Sequence, residues 1–294
     1  MNFATITDYL DYIFEEFQDE IAEMDSLCDL RNVSFANGNL PDYNNRAQAL
    51  LYCLRYHFAY AFEYEYIYCK HILKHFSNRQ INVLSVGCGN GIDFWSLDQA
   101  INRSGSSIRR INYLGVDRAD WGELFDGTSN DAINYYYGNV QELPVCMDNV
   151  DVVIFPKSLC ELNFTDLKHI ADLIDQSSNE LYIVASFRAE PNNMIDDVSV
   201  FDGFIELLLE KGFSISEGKL AFIHTVTEDN AIVSVYNDYI YPDDALTFID
   251  SLYDNCPENA VAEYGCQRQC NSTNRRAPIL NTCYSKYNVV KVSR

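Results

Sequence analysis

Residues 83–97, VLSVGCGNGIDFWSL, carry the clearest chemistry in the chain. An apolar run reaches Gly87, Gly89 and Gly91 at alternate positions, and a helical pattern then begins. Glycine has no Cβ, so three of them let the backbone turn sharply and let ligand atoms approach the main chain. The helix that follows offers unpaired N–H groups at its start. This is the chemistry of a nucleotide held against bare backbone. A dinucleotide loop of the form G-x-G-x-x-G needs its third glycine at position 92, where this chain has Ile92. The loop is therefore less suited to a pyrophosphate. The plainer alternative is a tight strand-to-helix turn with no ligand.

A second chemical group follows at a telling distance. INYLGVD ends in Asp117, 26 residues after Gly91. A carboxylate at the end of the second strand of such a unit accepts hydrogen bonds from two ribose hydroxyls. The competing reading has Asp117 cap a helix starting near Ala119. Two further segments lie downstream, NYYYGNVQELP at 134–144 and DNVDVVIFPKSLCELN at 148–163. Ser158, Glu161 and Lys157 sit in the loop after the latter strand, with Lys157 read as solvent-facing and Ser158 as a helix cap. No residue is assigned as catalytic.

Over roughly residues 79–215 these four segments, in this order and spacing, resemble the class I S-adenosylmethionine (SAM)-dependent methyltransferases. The resemblance implies a doubly wound, mainly parallel α/β sheet and SAM as cofactor. It implies that Gly87, Cys88, Gly89 and Gly91 face the amino-acid end of SAM and that Asp117, with Arg118 beside it, meets the ribose. Asn139 and Val140 would hold the adenine, and Pro156 would close the strand that ends under the reactive methyl. Enzymes of this family that methylate bases or glutamine amides often carry [DN]-P-P-[YF] there; Phe155-Pro156-Lys157-Ser158 departs from that pattern. A second likeness is to ribosomal methyltransferase relatives that combine Ser-x-x-Glu-Leu with a cysteine cluster, matched here by Ser158-Leu159-Cys160-Glu161-Leu162. That alternative implies an RNA-associated protein with a metal site. A non-catalytic module of the same fold is the third reading. A nicotinamide oxidoreductase is disfavoured by Ile92, and by a Tyr66-x-x-x-Lys70 pair that precedes the nucleotide loop instead of following it.

The elements that would position these groups follow from periodicity. Strands are expected at about 82–86, 111–116, 133–137, 151–155 and 180–186, with helices near 91–102, 119–126, 164–176 and 199–211. Near-continuous apolar strands alternating with helices indicate a parallel sheet covered on both faces. Before this unit lie an acidic amphipathic helix within 1–30, a loop at 31–44 and a tyrosine-rich helical stretch at 45–76. Residues 1–78 read as an N-terminal helical cap and 79–294 as the cofactor-binding domain. Arg55, Tyr60 and Tyr64 are spaced to share one helix face; Tyr60, Tyr64 and Ser158 are candidate substrate contacts, while aromatic packing is the plainer reading of the tyrosines. After the parallel unit, 217–226 and 230–237 read as an antiparallel pair, 242–254 as a helix and 286–292 as a last strand. A cysteine-bearing insertion spans about 255–282. Cys256, Cys266, Cys270 and Cys283 are separated by gaps of nine, three and twelve residues, and only the Cys266–Cys270 gap approaches metal-ligand spacing. No metal ligand is assigned. His71 and His75 read as an exposed helix end.

Composition bounds the partners. Forty-three acidic against 21 basic residues give a formal charge of −22, which repels nucleic-acid phosphates. No apolar run is long enough to span a membrane, and the acidic start, MNFATITDYLDYIFEEF, does not resemble a signal or transit peptide. The ten cysteines, several at apolar positions, read as reduced thiols of a cytoplasmic protein. The expected partner is a small-molecule or protein methyl acceptor. The oligomeric state is left open, a dimer included.

Overall fold

The computed structural model describes residues 5–24, 27–28, 30, 42–77, 79–122, 133–143, 149–188, 191–225, 240–252, 256, 278–280 and 285–294. Short strands with apolar residues on both faces set the architecture. In β1 (Gln80–Val86) and β4 (Val152–Pro156) nearly every residue is buried. These two strands form the centre of a parallel array with β2 (Arg110–Asp117), β3 (Ile133–Tyr137) and β5 (Glu180–Phe187). β6 (Ser214–Glu217), β7 (His224–Thr225) and β8 (Lys286–Ser293) complete it, in the order β3-β2-β1-β4-β5-β8-β6, with β7 also on β8. β8 runs antiparallel to β5, β6 and β7. This is a doubly wound, mainly parallel sheet with an antiparallel C-terminal strand region. The order reverses between β1 and β4, which opens a crevice at the carboxyl ends of those strands.

Alternation along each strand divides the core. Leu84, Val86, Phe155, Ile183, Ala185 and Phe187 share one face with α4 (Phe164–Ser177) and α5 (Pro191–Glu210), whose Ile170, Ile174, Phe201, Phe204 and Leu208 are buried with them. Phe204 meets Phe155 edge-on with ring centroids 5.2 Å apart. On the other face α3 (Ile92–Ser104) packs Phe94 on Tyr113, ring centroids 5.2 Å apart. The tyrosine-rich helix α2 (Arg46–Ile67) widens into a π turn (Tyr68–Ile72) and ends in a 3-10 turn (Leu73–His75).

Two compact units result, one of Met1–Asn2, Phe62–Ile232 and Thr282–Arg294, the other of Phe3–Ala61 and Val233–Asn281. In the second, α1 (Ile6–Ala22) opens with a capping box between Thr5 and Asp8. Its apolar stripe faces α6 (Asp243–Ser251): Phe14 and Phe248 rings meet at 5.4 Å. Tyr241 donates to the Leu54 carbonyl at 2.9 Å.

The expected strand over 217–226 is corrected. Gly218, at φ +83°, turns the chain between β6 and β7; a Cβ there would lie 2.4 Å from the Val289 carbonyl oxygen. Both short strands pair with β8, and 230–237 lies outside the described residues. Of the helix expected near 119–126, residues 119–121 are not helical and 123–126 lie outside the described residues. α5 starts at Pro191, eight residues before the expected 199. His71 and His75 are not an exposed helix end: both are half-buried, His71 against the Tyr287 hydroxyl at 3.1 Å and His75 against the Tyr182 ring at 4.9 Å.

Candidate functional site

The three glycines all adopt left-handed backbone, Gly87 at φ +71°, Gly89 at +57° and Gly91 at +82°, and Gly91 opens α3. The N–H groups of Gly87 and Cys88 both donate to the Val116 carbonyl, at 2.7 and 3.2 Å, so the loop is tied to the end of β2. Gly87 is required twice over. A Cβ there would lie 2.2 Å from Ser158 Cβ, besides the left-handed φ. Gly87→Ala is expected to cost about 2 kcal/mol from overpacking and backbone strain, read as a lower urea midpoint at unchanged slope. Cys88 is 2% exposed. Its Sγ lies where a Cβ on Gly115 would come within 2.7 Å, so this side chain belongs to the core and only its main chain is available to a ligand.

Asp117 ends β2 and lines a small pocket with Val86, Gly87, Arg118, Val140 and Glu161. Its Oδ2 accepts from Gly89 N and its Oδ1 from Ala119 N, both at 2.8 Å. The Trp121 indole N–H is also drawn to this carboxyl, so one to two of its about four acceptor positions remain for ligand hydroxyls. Burial pushes its carboxyl up, and those two backbone N–H groups pull it back. The arrangement contains both readings of this residue: it caps the turn at Ala119 and it faces the pocket. Arg118 turns to α4, donating to Asp166 Oδ2 at 2.9 Å and to the Glu161 carbonyl at 3.2 Å. Asn139 accepts from Gln141 N at 3.1 Å and caps the 3-10 turn Val140–Glu142. Val140 lines the pocket directly. Pro156 closes β4 opposite Ser186.

Asp93, in the first turn of α3, is fully buried and was not singled out by the sequence. Tyr113 donates to its Oδ1 at 2.9 Å, and the N–H groups of Asp93 and Phe94 also lie against its carboxyl. Burial raises this carboxyl to about 6, against the pull of those donors. The start of α3 is thus already answered by an acidic group from within the chain. Among the described residues lining the pocket, Arg118 is the sole cation, and it is paired with Asp166. A phosphate would find no unpaired cation among these residues and a carboxylate in the first turn of α3.

The loop after β4 departs from expectation at two residues. Lys157 does not face solvent: its side chain is 11% exposed, and its Nζ donates to Glu63 Oε1 at 3.0 Å, Ser186 Oγ at 2.8 Å and the Phe187 carbonyl at 3.0 Å. Its backbone is left-handed, φ +60°. The physical reason is Glu63, a carboxylate that α2 carries into the interior and that requires a counter-charge. Ser158 does not cap with its side chain; its hydroxyl donates to the Val86 carbonyl, beneath Gly87. Glu161 also lines the pocket, and burial, then the Asp117 charge, raise its carboxyl to about 7.

Of the candidate substrate contacts, Tyr64 is 1% exposed and belongs to the core of its unit. Tyr60, in the other unit, stacks on Tyr56 with centroids 5.6 Å apart. Among the described residues no group of His, Cys, Asp and Glu could hold a metal ion. Cys256 is buried, and Cys266, Cys270 and Cys283 lie outside the described residues. No helix among the described residues is long and apolar enough to cross a membrane.

No family model matches the chain, and no curated protein matches it. Solved structures similar to it include a cyclopropane-fatty-acyl-phospholipid synthase-like protein from Lactobacillus casei, at 12% identity over 86% of this chain and 94% of that one, TM-score 0.43. The plantazolicin methyltransferase BpumL, solved with S-adenosylhomocysteine, is similar at 15% identity over 95% and 99%, TM-score 0.39. A TehB-like SAM-dependent methyltransferase from Corynebacterium glutamicum is similar at 14% identity over 55% and 76%, TM-score 0.36. The fold itself rests on the strand order and directions of this chain: five parallel strands reversing at β1 and β4, closed by an antiparallel β8.

Proposed function

We propose that the chain is a SAM-dependent methyltransferase acting on a small molecule or a protein side chain. The observation that carries this reading is the charge layout of the crevice. Asp117 faces the pocket with acceptor positions to spare, while Asp93 occupies the start of α3 and Arg118 is held by Asp166. That layout suits a ribose and a sulfonium and disfavours a pyrophosphate. When bound, SAM supplies a methyl group activated by the positive sulfur. The residues of this chain would hold it in place: the main chain of Gly87, Cys88, Gly89 and Gly91 at the amino-acid end, Asp117 by the ribose with only the main chain of Arg118 beside it, Asn139 and Val140 by the adenine, Pro156 beneath the methyl. Alignment is the main demand of such a displacement, since orientation alone supplies much of the rate. A field of −22 favours a neutral or basic acceptor. Cys88, Cys160 and Cys256 are free thiols, in keeping with a cytoplasmic setting.

Titration calorimetry of the purified chain tests the reading. SAM and S-adenosylhomocysteine are expected to bind at one equivalent each, and NAD not at all. Binding of neither adenosyl ligand would sink it.

A further inference from the structure

Glu161 is the one acidic side chain of the pocket that the binding scheme above leaves without a task. It sits on the short 3-10 turn Leu159–Glu161 after β4 and lines the pocket with Gly87 and Asp117. Its backbone is engaged, the N–H with the Ser158 carbonyl at 2.9 Å and the carbonyl with Arg118. Its carboxyl accepts no hydrogen bond and forms no ion pair with any described residue. The residue is half-buried, and a carboxylate drawn partly out of water gains from a counter-charge. The neighbouring cations do not serve it. Arg118 is committed to Asp166, and Arg188, at the end of β5, is held by both oxygens of Asp197 at 2.9 and 3.0 Å.

We infer that Glu161 is the pocket's counter-charge for the sulfonium, and so the residue by which this chain prefers SAM over its uncharged thioether product. The inference rests on the SAM reading above. Two carboxylates, Asp117 and Glu161, face one pocket whose sole cation points elsewhere, so the pocket is a better home for a cation than for a neutral ligand. Transfer of the methyl group removes the ligand's positive sulfur. The same carboxyl that favours the donor then ceases to favour the product, which helps it leave.

The pH dependence has a definite sign. Burial and the Asp117 charge hold the Glu161 carboxyl near 7, while Arg118 and Arg188 act in the opposite direction. Cys160, on the same turn, is a neutral thiol at these pH values, pushed up by burial to about 12. Asp166 and Asp197 are neutralised by their arginines. At pH 5.5 Glu161 is protonated and the preference is small. By pH 7.5 it is mostly ionised and the preference is full, and a bound cation draws the ionisation lower still.

Calorimetry with SAM and S-adenosylhomocysteine at pH 5.5 and 7.5 tests this on wild type and Glu161→Gln. The wild-type ratio of affinities is expected to rise about tenfold between the two pH values relative to the variant, which cancels the ligands' own titration. At pH 6.5, titrations in buffers of different ionisation enthalpy are expected to show SAM releasing more protons than S-adenosylhomocysteine on binding to wild type. This second readout needs no variant and stands if Glu161→Gln does not fold. A ratio equal in wild type and variant at both pH values, or equal proton release for the two ligands, overturns the role of Glu161 while leaving the SAM reading intact. Failure of wild type to bind either ligand overturns that reading itself.

Discussion

Asp117→Ala is expected to weaken SAM and S-adenosylhomocysteine binding at least 100-fold by calorimetry. Hydrogen bonds from ligand hydroxyls to an ionised carboxylate contribute about 1.5–3 kcal/mol each, and two such bonds exceed a hundredfold together. The alanine variant also releases Gly89 N and Ala119 N, both held at 2.8 Å, so the glycine loop keeps only its Val116 tie to the end of β2. Asp117→Asn separates the two effects. Its amide retains one acceptor oxygen of similar shape and holds one of the two N–H groups, but places donors where the second backbone N–H and a hydroxyl both need an acceptor. It is expected to fall between wild type and alanine in affinity while keeping most of the stability. Equal affinities in all three proteins would mean that Asp117 serves only as the cap of the turn at Ala119.

The fold was legible because its signals were local and strong. β1 reads as a continuous apolar run into three glycines, and the structure ends it at Val86 and starts α3 at Ile92 as the pattern requires. β3, with ends expected at 133 and 137, spans those residues. α5 was placed late because its first turns carry few apolar residues. They are set instead by Pro191 at the first helical position and by Asp197 reaching back nine residues to Arg188, a polar pair that periodicity does not register. The strand expected over 217–226 runs across Gly218, whose left-handed backbone marks a turn between β6 and β7.

The site was legible where backbone requirements dictate residue type and obscure where side chains choose partners in three dimensions. Three left-handed positions demand glycine, and three glycines announce them. Nothing local tells that Asp93 turns inward under Tyr113, or that Arg118 reaches 48 residues ahead to Asp166. One signal could have been read. Glu63 interrupts the aromatic stretch Tyr56–Tyr68 within a helix that has to bury its surface, and a charge in such a helix needs an opposite charge elsewhere.

That charge is Lys157, and Lys157→Met is expected to lose about 3–5 kcal/mol of stability, the usual cost of breaking a buried pair from one side. Glu63 would remain, 4% exposed, with Ser186 and Ser285 as hydroxyl donors but no cation. Lys157 also holds a left-handed backbone, which costs a side-chain-bearing residue about 1–2 kcal/mol. Lys157→Gly removes that strain along with the charge. If the ion pair dominates, the glycine variant is nearly as unstable as the methionine variant; a glycine variant as stable as wild type would show that the pair contributes little. Glu63→Leu combined with Lys157→Met is expected to recover most of the loss, because two apolar groups leave no uncompensated charge. Urea midpoints of the four proteins decide the matter. SAM affinity should follow the same order, since Lys157 anchors the loop whose next residue, Ser158, packs beneath Gly87. A double variant that regains stability but not affinity would separate the two roles of this pair: the charge balance of the interior, and the placement of the loop that supports the cofactor crevice.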